Sequence, residues 1–199
     1  MTIKLIAALG NNEEQYRHTR HNVGFEWIDQ LAEKYNASWQ KSPHGKGTTS
    51  KITLESNSIS LFKPGLLMNI NGRPIADFAR YFKIEPSEIL LVYDDLDLKT
   101  GIIKCRKSEG HGGHNGVRDL GHHLDIKQIL RLKIGIDRPT DKSKTSQYVL
   151  QKPNEQAYAR INYAITNSIA HSNLLLSQKI NAYCEQLAVA NQQESSNGI

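Results

Sequence analysis

The chain of 199 residues is 38% hydrophobic and 23% charged, long enough to bury one sizeable core and far from the compositions of disordered or fibrous proteins. Twenty-five Lys and Arg against twenty Asp and Glu leave a formal charge of +5, an excess that suits either a polyanionic partner or plain solubility. Cys105 and Cys184 form no disulfide framework, and charged or amide residues interrupt every apolar stretch before it reaches membrane-spanning length. One cytoplasmic domain is expected over residues 1–190, with the polar stretch 191–199 expected to be a disordered tail.

The apolar run at the start of the chain is too short for a signal peptide and reads as a first strand. Val23, Trp27, Ile28, Leu31 and Tyr35 then recur at helical spacing, with Asn22 as the expected N-cap. Strands are predicted from Thr48 to Glu55 and from Ile59 to Phe62, joined by Ser56-Asn57-Ser58, which has hairpin-turn chemistry. Ile75, Phe78, Ala79 and Phe82 mark a second helix that ends before Pro86. The continuous apolar run Ile89–Tyr93 reads as a buried strand ending in Asp94-Asp95. Another strand is predicted at Ile102–Lys107, then a glycine-rich loop, a short helix after Asn115 and a strand at Ile129–Ile136. Ile161, Ala164, Ile165, Ser168 and Ile169 predict one C-terminal helix, and Leu174–Leu187 another. Strands alternating with helices give an α/β class: a single-domain, mixed, twisted β-sheet flanked by helices.

Ligands of open α/β sheets bind outside the carboxyl ends of the strands, so the polar segments after strands are the candidate sites. His21 is the natural general base, because an imidazole with a pKa of about 6.5 accepts a proton near neutrality. Asp94 is a candidate partner: a carboxylate on Nδ1 would fix the tautomer and leave Nε2 free to deprotonate water. The amides of Asn11 and Asn69 suit holding a water or donating to an oxyanion, although asparagine also serves turns. Met68 either lines a pocket or packs in the core.

His111 and His114 lie three apart in the glycine-rich loop and raise the possibility of zinc. No cysteine or carboxylate falls at ligand spacing nearby, so no metal is expected. Asn115 is placed to cap the following helix and to present an amide. Lys104 with Arg106, and Arg131 with Lys133, share strand faces, as a phosphate track or as a charged sheet edge.

Four motifs occur in order. They are Gly10-Asn11 with Tyr16 and Thr19-Arg-His-Asn-Val-Gly24; Met68-Asn69 with Gly72; Tyr93-Asp-Asp-Leu-Asp-Leu-Lys-Thr-Gly101; and Gly110-His-Gly-Gly-His-Asn-Gly116. Together they resemble the bacterial-type peptidyl-tRNA hydrolase family, and four ordered motifs are far more specific than one. The resemblance implies a cofactor-free, monomeric enzyme that hydrolyses the ester between a peptide and the 3′ end of tRNA. It implies that His21 activates water and Asp94 orients it, while Asn11, Tyr16, Met68, Asn69, His114 and Asn115 contact substrate. Lys104, Arg106 and Lys133 fall where tRNA phosphate contacts are expected. Asn12-Glu13 stand where the family usually has Pro-Gly, and Leu66-Leu67 replace a usual Thr-aromatic pair; neither change removes a catalytic group. The alternative is a non-catalytic RNA-binding protein on the same scaffold, and the intact His21 and Asp94 argue against it.

Overall fold

The computed structural model describes residues 2–54 and 57–196, with side chains through 191. Among the described residues, seven strands form one sheet. The chain opens with β1 (Leu5–Ala8), α1 (Val23–Lys34), β2 (Gln40–Lys41), β3 (Gly47–Leu54) and β4 (Asn57–Pro64). It continues through α2 (Gly72–Tyr81), β5 (Ile89–Asp95), β6 (Ile103–Arg106), α3 (Asn115–Gly121) and β7 (Leu130–Gly135). Four helices finish the chain: α4 (Thr145–Val149), α5 (Glu155–Ala170), α6 (Ser172–Leu176) and α7 (Ile180–Ser196).

The sheet order is β2-β3-β4-β1-β5-β7-β6. The inner four strands are parallel, and antiparallel pairing is confined to the two margins. The inner strands are apolar because both faces are covered. Ile6, Ala8, Leu90, Val92, Leu132 and Ile134 face one core with Trp27, Ile28 and Leu31 of α1 and Ile161 and Ile165 of α5. Their neighbours Leu5, Ala7, Leu91 and Tyr93 turn to the other core, under Ile75 and Phe78 of α2 and Val117 and Leu120 of α3. The twofold period of a strand makes that division. The Trp27 indole N–H donates to the Ser168 hydroxyl at 2.8 Å, tying α1 to α5. No helix among the described residues is long and apolar enough to cross a membrane.

The structure redraws several local expectations. Of the turn foreseen at Ser56-Asn57-Ser58, Asn57 and Ser58 belong to β4, where Asn57 pairs with Leu54, while Glu55 and Ser56 lie outside the described residues. The helix expected over Leu174–Leu187 breaks between α6 and α7 at Gln178, whose φ is +63°. The break turns the Gln178 amide onto the backbone of Ile3, accepting from its N–H at 2.6 Å and donating to its carbonyl at 3.2 Å. The tail expected to be disordered from residue 191 is helical as far as Ser196. Asn191 fastens α7 to the edge strand, accepting from the Ile103 N–H and donating to its carbonyl. Neither β2 nor α4 was signalled by periodicity.

α2 and α3 approach so closely that a Cβ on Gly72 would overlap the Leu120 backbone. The Gly72 N–H also donates to Asp119 at 2.7 Å. Gly72→Ala is expected to destabilise the protein by about 1–3 kcal/mol through overpacking, despite a helix-propensity gain of about 1 kcal/mol. A urea midpoint equal to or above wild type would contradict that packing.

Candidate active site

β4, β1, β5 and β7 run in the same direction, so their carboxyl ends share one edge of the sheet. The loop after β1 carries Asn11 and His21 to this edge, the loop after β4 carries Met68 and Asn69, and β5 ends in Asp94 and Asp95. The glycine loop arrives differently. β6 runs antiparallel to β7, and the chain must double back before α3. Arg131, fully buried, pins that return by donating to the carbonyls of Ser108, Gly110 and Ile126. Arg131 is therefore a structural brace rather than part of a phosphate track.

His21 lies on a short 3-10 turn that runs into α1. The turn reaches Asp94 because Gly24 lets α1 approach the sheet: a Cβ there would stand 2.7 Å from the carbonyl oxygens of both Leu9 and Val92. His21 Nδ1 lies 2.8 Å from Asp94 Oδ1, and His114 Nε2 lies 2.9 Å from the same oxygen. The two rings are 5.0 Å apart, and Tyr93 meets the His114 ring edge-on. Asp94 is 2% exposed. Burial pushes its carboxyl upward, but electrostatic attraction and hydrogen bonds from His21 and His114 outweigh that effect and hold it well below the carboxylate range.

The hydrogen bonds assign the protons. An ionised carboxylate only accepts, so His21 donates from Nδ1, which in the neutral ring places the lone pair on Nε2. His114 Nδ1 accepts the Val117 N–H at 3.3 Å, capping α3, so its single proton sits on Nε2 and points at Asp94. Burial lowers the His114 pKa, overriding the attraction of Asp94. His114 is a neutral donor. His21, Asp94 and His114 also bring one possible metal-ligating atom each within 4.8 Å of one another, but a cation on His114 Nε2 would displace its proton and break the α3 cap.

The asparagines divide the remaining work. Asn22, expected to cap α1, makes no cap bond; it accepts the Asn11 N–H at 2.8 Å and donates to the Asn11 carbonyl at 2.9 Å. Asn11 Oδ1 then accepts the Met68 N–H at 2.7 Å, joining two site loops and leaving the Asn11 amide hydrogens as donors. Asn71, fully buried and not foreseen from sequence, accepts from Gly10 N–H and donates to the Leu66 and Leu67 carbonyls. Its only signal was its place between Asn69 and Gly72. Asn115 is the first residue of α3 rather than its cap, and its Oδ1 accepts from Arg118. Met68 is buried against Gly116, whereas Asn69 is exposed. Tyr16 stands aside, half-buried, its carbonyl accepting the Thr19 hydroxyl.

A cavity of about 250 Å³ is lined by His21, Asp94, His114, Asn115, Lys133 and the first turn of α4. A second, of about 500 Å³, lies on the Asn11 and Asn22 side. Lys133 reaches the first with its ammonium 2.9 Å from Asp95, a pair that leaves it largely covered. Lys104 is directly opposite Lys133 in the sheet and Arg106 opposite Arg131. Both Lys104 and Arg106 are exposed, with no ion pair among the described residues.

A buried carboxylate fixing one tautomer of an imidazole, at the carboxyl edge of a mixed α/β sheet, defines the machinery of a hydrolytic enzyme. The family model described as peptidyl-tRNA hydrolase matches residues 5–196. The chain is 38% identical over 185 residues to the peptidyl-tRNA hydrolase of Francisella tularensis subsp. novicida, covering 93% of this chain and 97% of that one. It is 39% identical over 168 residues to the Neisseria meningitidis serogroup C protein of that name, covering 84% and 88%. The crystal structure of peptidyl-tRNA hydrolase from Acinetobacter baumannii superposes with a TM-score of 0.89 at 34% identity, over 93% of this chain and 94% of that one. The chain belongs to the peptidyl-tRNA hydrolase family.

The protonation pattern sets a pH dependence. The folded pKa of His114 lies below its ordinary 6.5, so beneath that pH the unfolded chain takes up a proton that the native ring resists. Stability falls as pH drops through that window. Asp94 has the same sign, its loss confined to pH below its ordinary 3.8. Between about pH 7.5 and 5.5, urea midpoints of His114→Asn should fall less than those of wild type; parallel lines would contradict a buried neutral His114.

Proposed function

We propose that this protein hydrolyses the ester joining a peptide, or an N-blocked amino acid, to the 3′ end of tRNA, recycling tRNA in the cytoplasm. The observation that carries the reading is the His21–Asp94 pair, with its free Nε2, inside four family motifs. His21 takes a proton from water as the water oxygen attacks the ester carbonyl. The imidazolium so formed is stabilised by the Asp94 carboxylate. Amide hydrogens of Asn11, Asn69 and Asn115 are the donors available to the developing oxyanion. As the tetrahedral intermediate collapses, His21 returns the proton to the departing ribose oxygen, and the peptide leaves with a free carboxyl group. Met68 shapes this site from beneath by holding the loop that bears Asn69, and His114 keeps Asp94 aimed and charged. The role of Tyr16 is to hold the turn before His21.

The chemistry asks no metal of the site, because an ester on ribose already has a tolerable leaving group and a positioned base supplies the nucleophile. The domain acts as a monomer. Lys104 and Arg106 meet tRNA phosphates, and Lys133 adds a contact through the ammonium hydrogens not used by Asp95. Backbone contacts of this kind suit an enzyme that must accept every elongator tRNA.

Release of tRNA from an N-blocked aminoacyl-tRNA is expected in the presence of a chelator. His21→Ala should lower kcat by about 10²–10⁴-fold while tRNA still binds, with a smaller loss for Asp94→Ala. Binding without release by the wild-type protein would instead leave an RNA-binding protein on this scaffold. Affinity for tRNA should decline linearly with salt on logarithmic axes, and removing Lys104 and Arg106 together should reduce the slope by about two. A slope unchanged in the double variant would move the tRNA to another face.

A further inference from the structure

Arg20, the residue before the catalytic base, has no carboxylate partner among the described residues. Its Nη1 instead donates to three main-chain carbonyls, those of Tyr148 at 3.3 Å and of Gln151 and Lys152 at 3.2 Å each. The guanidinium carbon lies 4.0 Å above the Tyr148 ring. The Arg20 N–H makes a fourth bond, to the Gln151 carbonyl at 3.1 Å. Tyr148 is in turn held at its far end, its hydroxyl donating to the Ile136 carbonyl at 2.7 Å.

These carbonyls belong to the last turn of α4 and the residues just beyond it. A helix end of this kind leaves carbonyls without intrahelical partners and carries partial negative charge, which a guanidinium satisfies and offsets. The face of α4 toward the site has another duty: Thr145 and Ser146 at its start and Val149 at its end line the cavity that holds His21, Asp94 and His114. α4 is only five residues long, too short to hold its own shape in water. Its place as a wall of the cavity is therefore set by what grips it from outside. Arg20 supplies that grip from the same turn that carries His21, so base and wall are positioned as one unit.

We propose that Arg20 is a positioning residue for substrate: it fixes α4 against the His21 turn and so sets the width of the catalytic cavity. The proposal rests on the functional reading above. Its consequence falls on the bound ester rather than on the proton transfer, since Arg20 touches neither Asp94 nor His114.

The test compares Arg20→Gln, Arg20→Lys and Tyr148→Leu with wild type on an N-blocked aminoacyl-tRNA. Wild-type turnover in that assay tests the functional reading separately, because its absence would sink that reading whatever the variants did. Arg20→Gln should raise KM roughly tenfold while kcat at saturation changes by less than about threefold. A merely structural role would do the reverse, lowering the active fraction and hence kcat while leaving KM alone. Arg20→Lys keeps the charge but loses the fork and the flat stacking surface, so its KM should also rise. Tyr148→Leu removes the stacking partner and keeps Arg20; it should raise KM too, and the double variant with Arg20→Gln should add little. An unchanged KM in Arg20→Gln, or full additivity with Tyr148→Leu, overturns the proposal. Should Arg20→Gln fail to fold, the KM of Tyr148→Leu decides.

Discussion

One oxygen of Asp94 receives hydrogen bonds from two imidazoles, and the rest of the site is arranged around that convergence. A carboxylate taken out of water is costly unless donors replace the water it loses. Here His21 and His114 replace it, arriving from loops that lie far apart in the chain. The two rings are not equivalent. The Val117 N–H fixes the proton of His114 on the nitrogen facing Asp94, so this ring stabilises the anion without competing for a proton. His21 is held only at Nδ1, and its outer nitrogen remains free for chemistry. The division between a locked imidazole and one with an uncommitted nitrogen follows from a single helix cap.

Backbone clasps made by asparagine do comparable work for the loops. Asn22 holds both the N–H and the carbonyl of Asn11, Asn11 holds Met68, and Asn71 holds Gly10 together with Leu66 and Leu67. Loop backbone at a buried site needs partners for its polar groups, and an uncharged amide supplies a donor and an acceptor together without disturbing the charges nearby. The resemblance leads one to expect Pro-Gly after Asn11, where this chain has Asn12-Glu13. Asn12 and Glu13 are exposed, while the bonds that set the loop path fall on Gly10 and Asn11, so the substitution lies outside the clasp.

The architecture was legible in the sequence where the signal is local. The continuous apolar run of β5 announced a strand covered on both faces, and the helical spacing of Trp27, Ile28 and Leu31 announced α1. His21 and Asp94 could be paired because each sits within a motif whose order is itself informative. Illegible features depend on partners distant in sequence. Asn22 and Asn115 carry good capping chemistry, yet Asn22 was recruited by Asn11 and the α3 cap went to His114. Arg131 read as a surface cation because nothing in its own strand reveals the three carbonyls waiting to bury it. α4 has no apolar period of its own, and the break before α7 joins a left-handed stop at Gln178, with the Lys179 N–H on the Leu174 carbonyl, to a clasp on Ile3, which is 175 positions away.

That last contact, the Gln178 clasp on Ile3, bears on how the protein comes into being. β1 is made before β4 and β5, the strands that flank it in the sheet, and the backbone of Ile3, just ahead of it, is bonded by a side chain near the far end of the chain. Pairings of such separation are slow to form, because the loop between them must be closed before the contact rewards it. Until β5 has emerged, one edge of this apolar strand has no partner, a hazard for misassembly. If this protein recycles tRNA from abandoned translation, its own synthesis is exposed to the same hazard: a chain abandoned before Gln178 has been made lacks the residue that clasps Ile3.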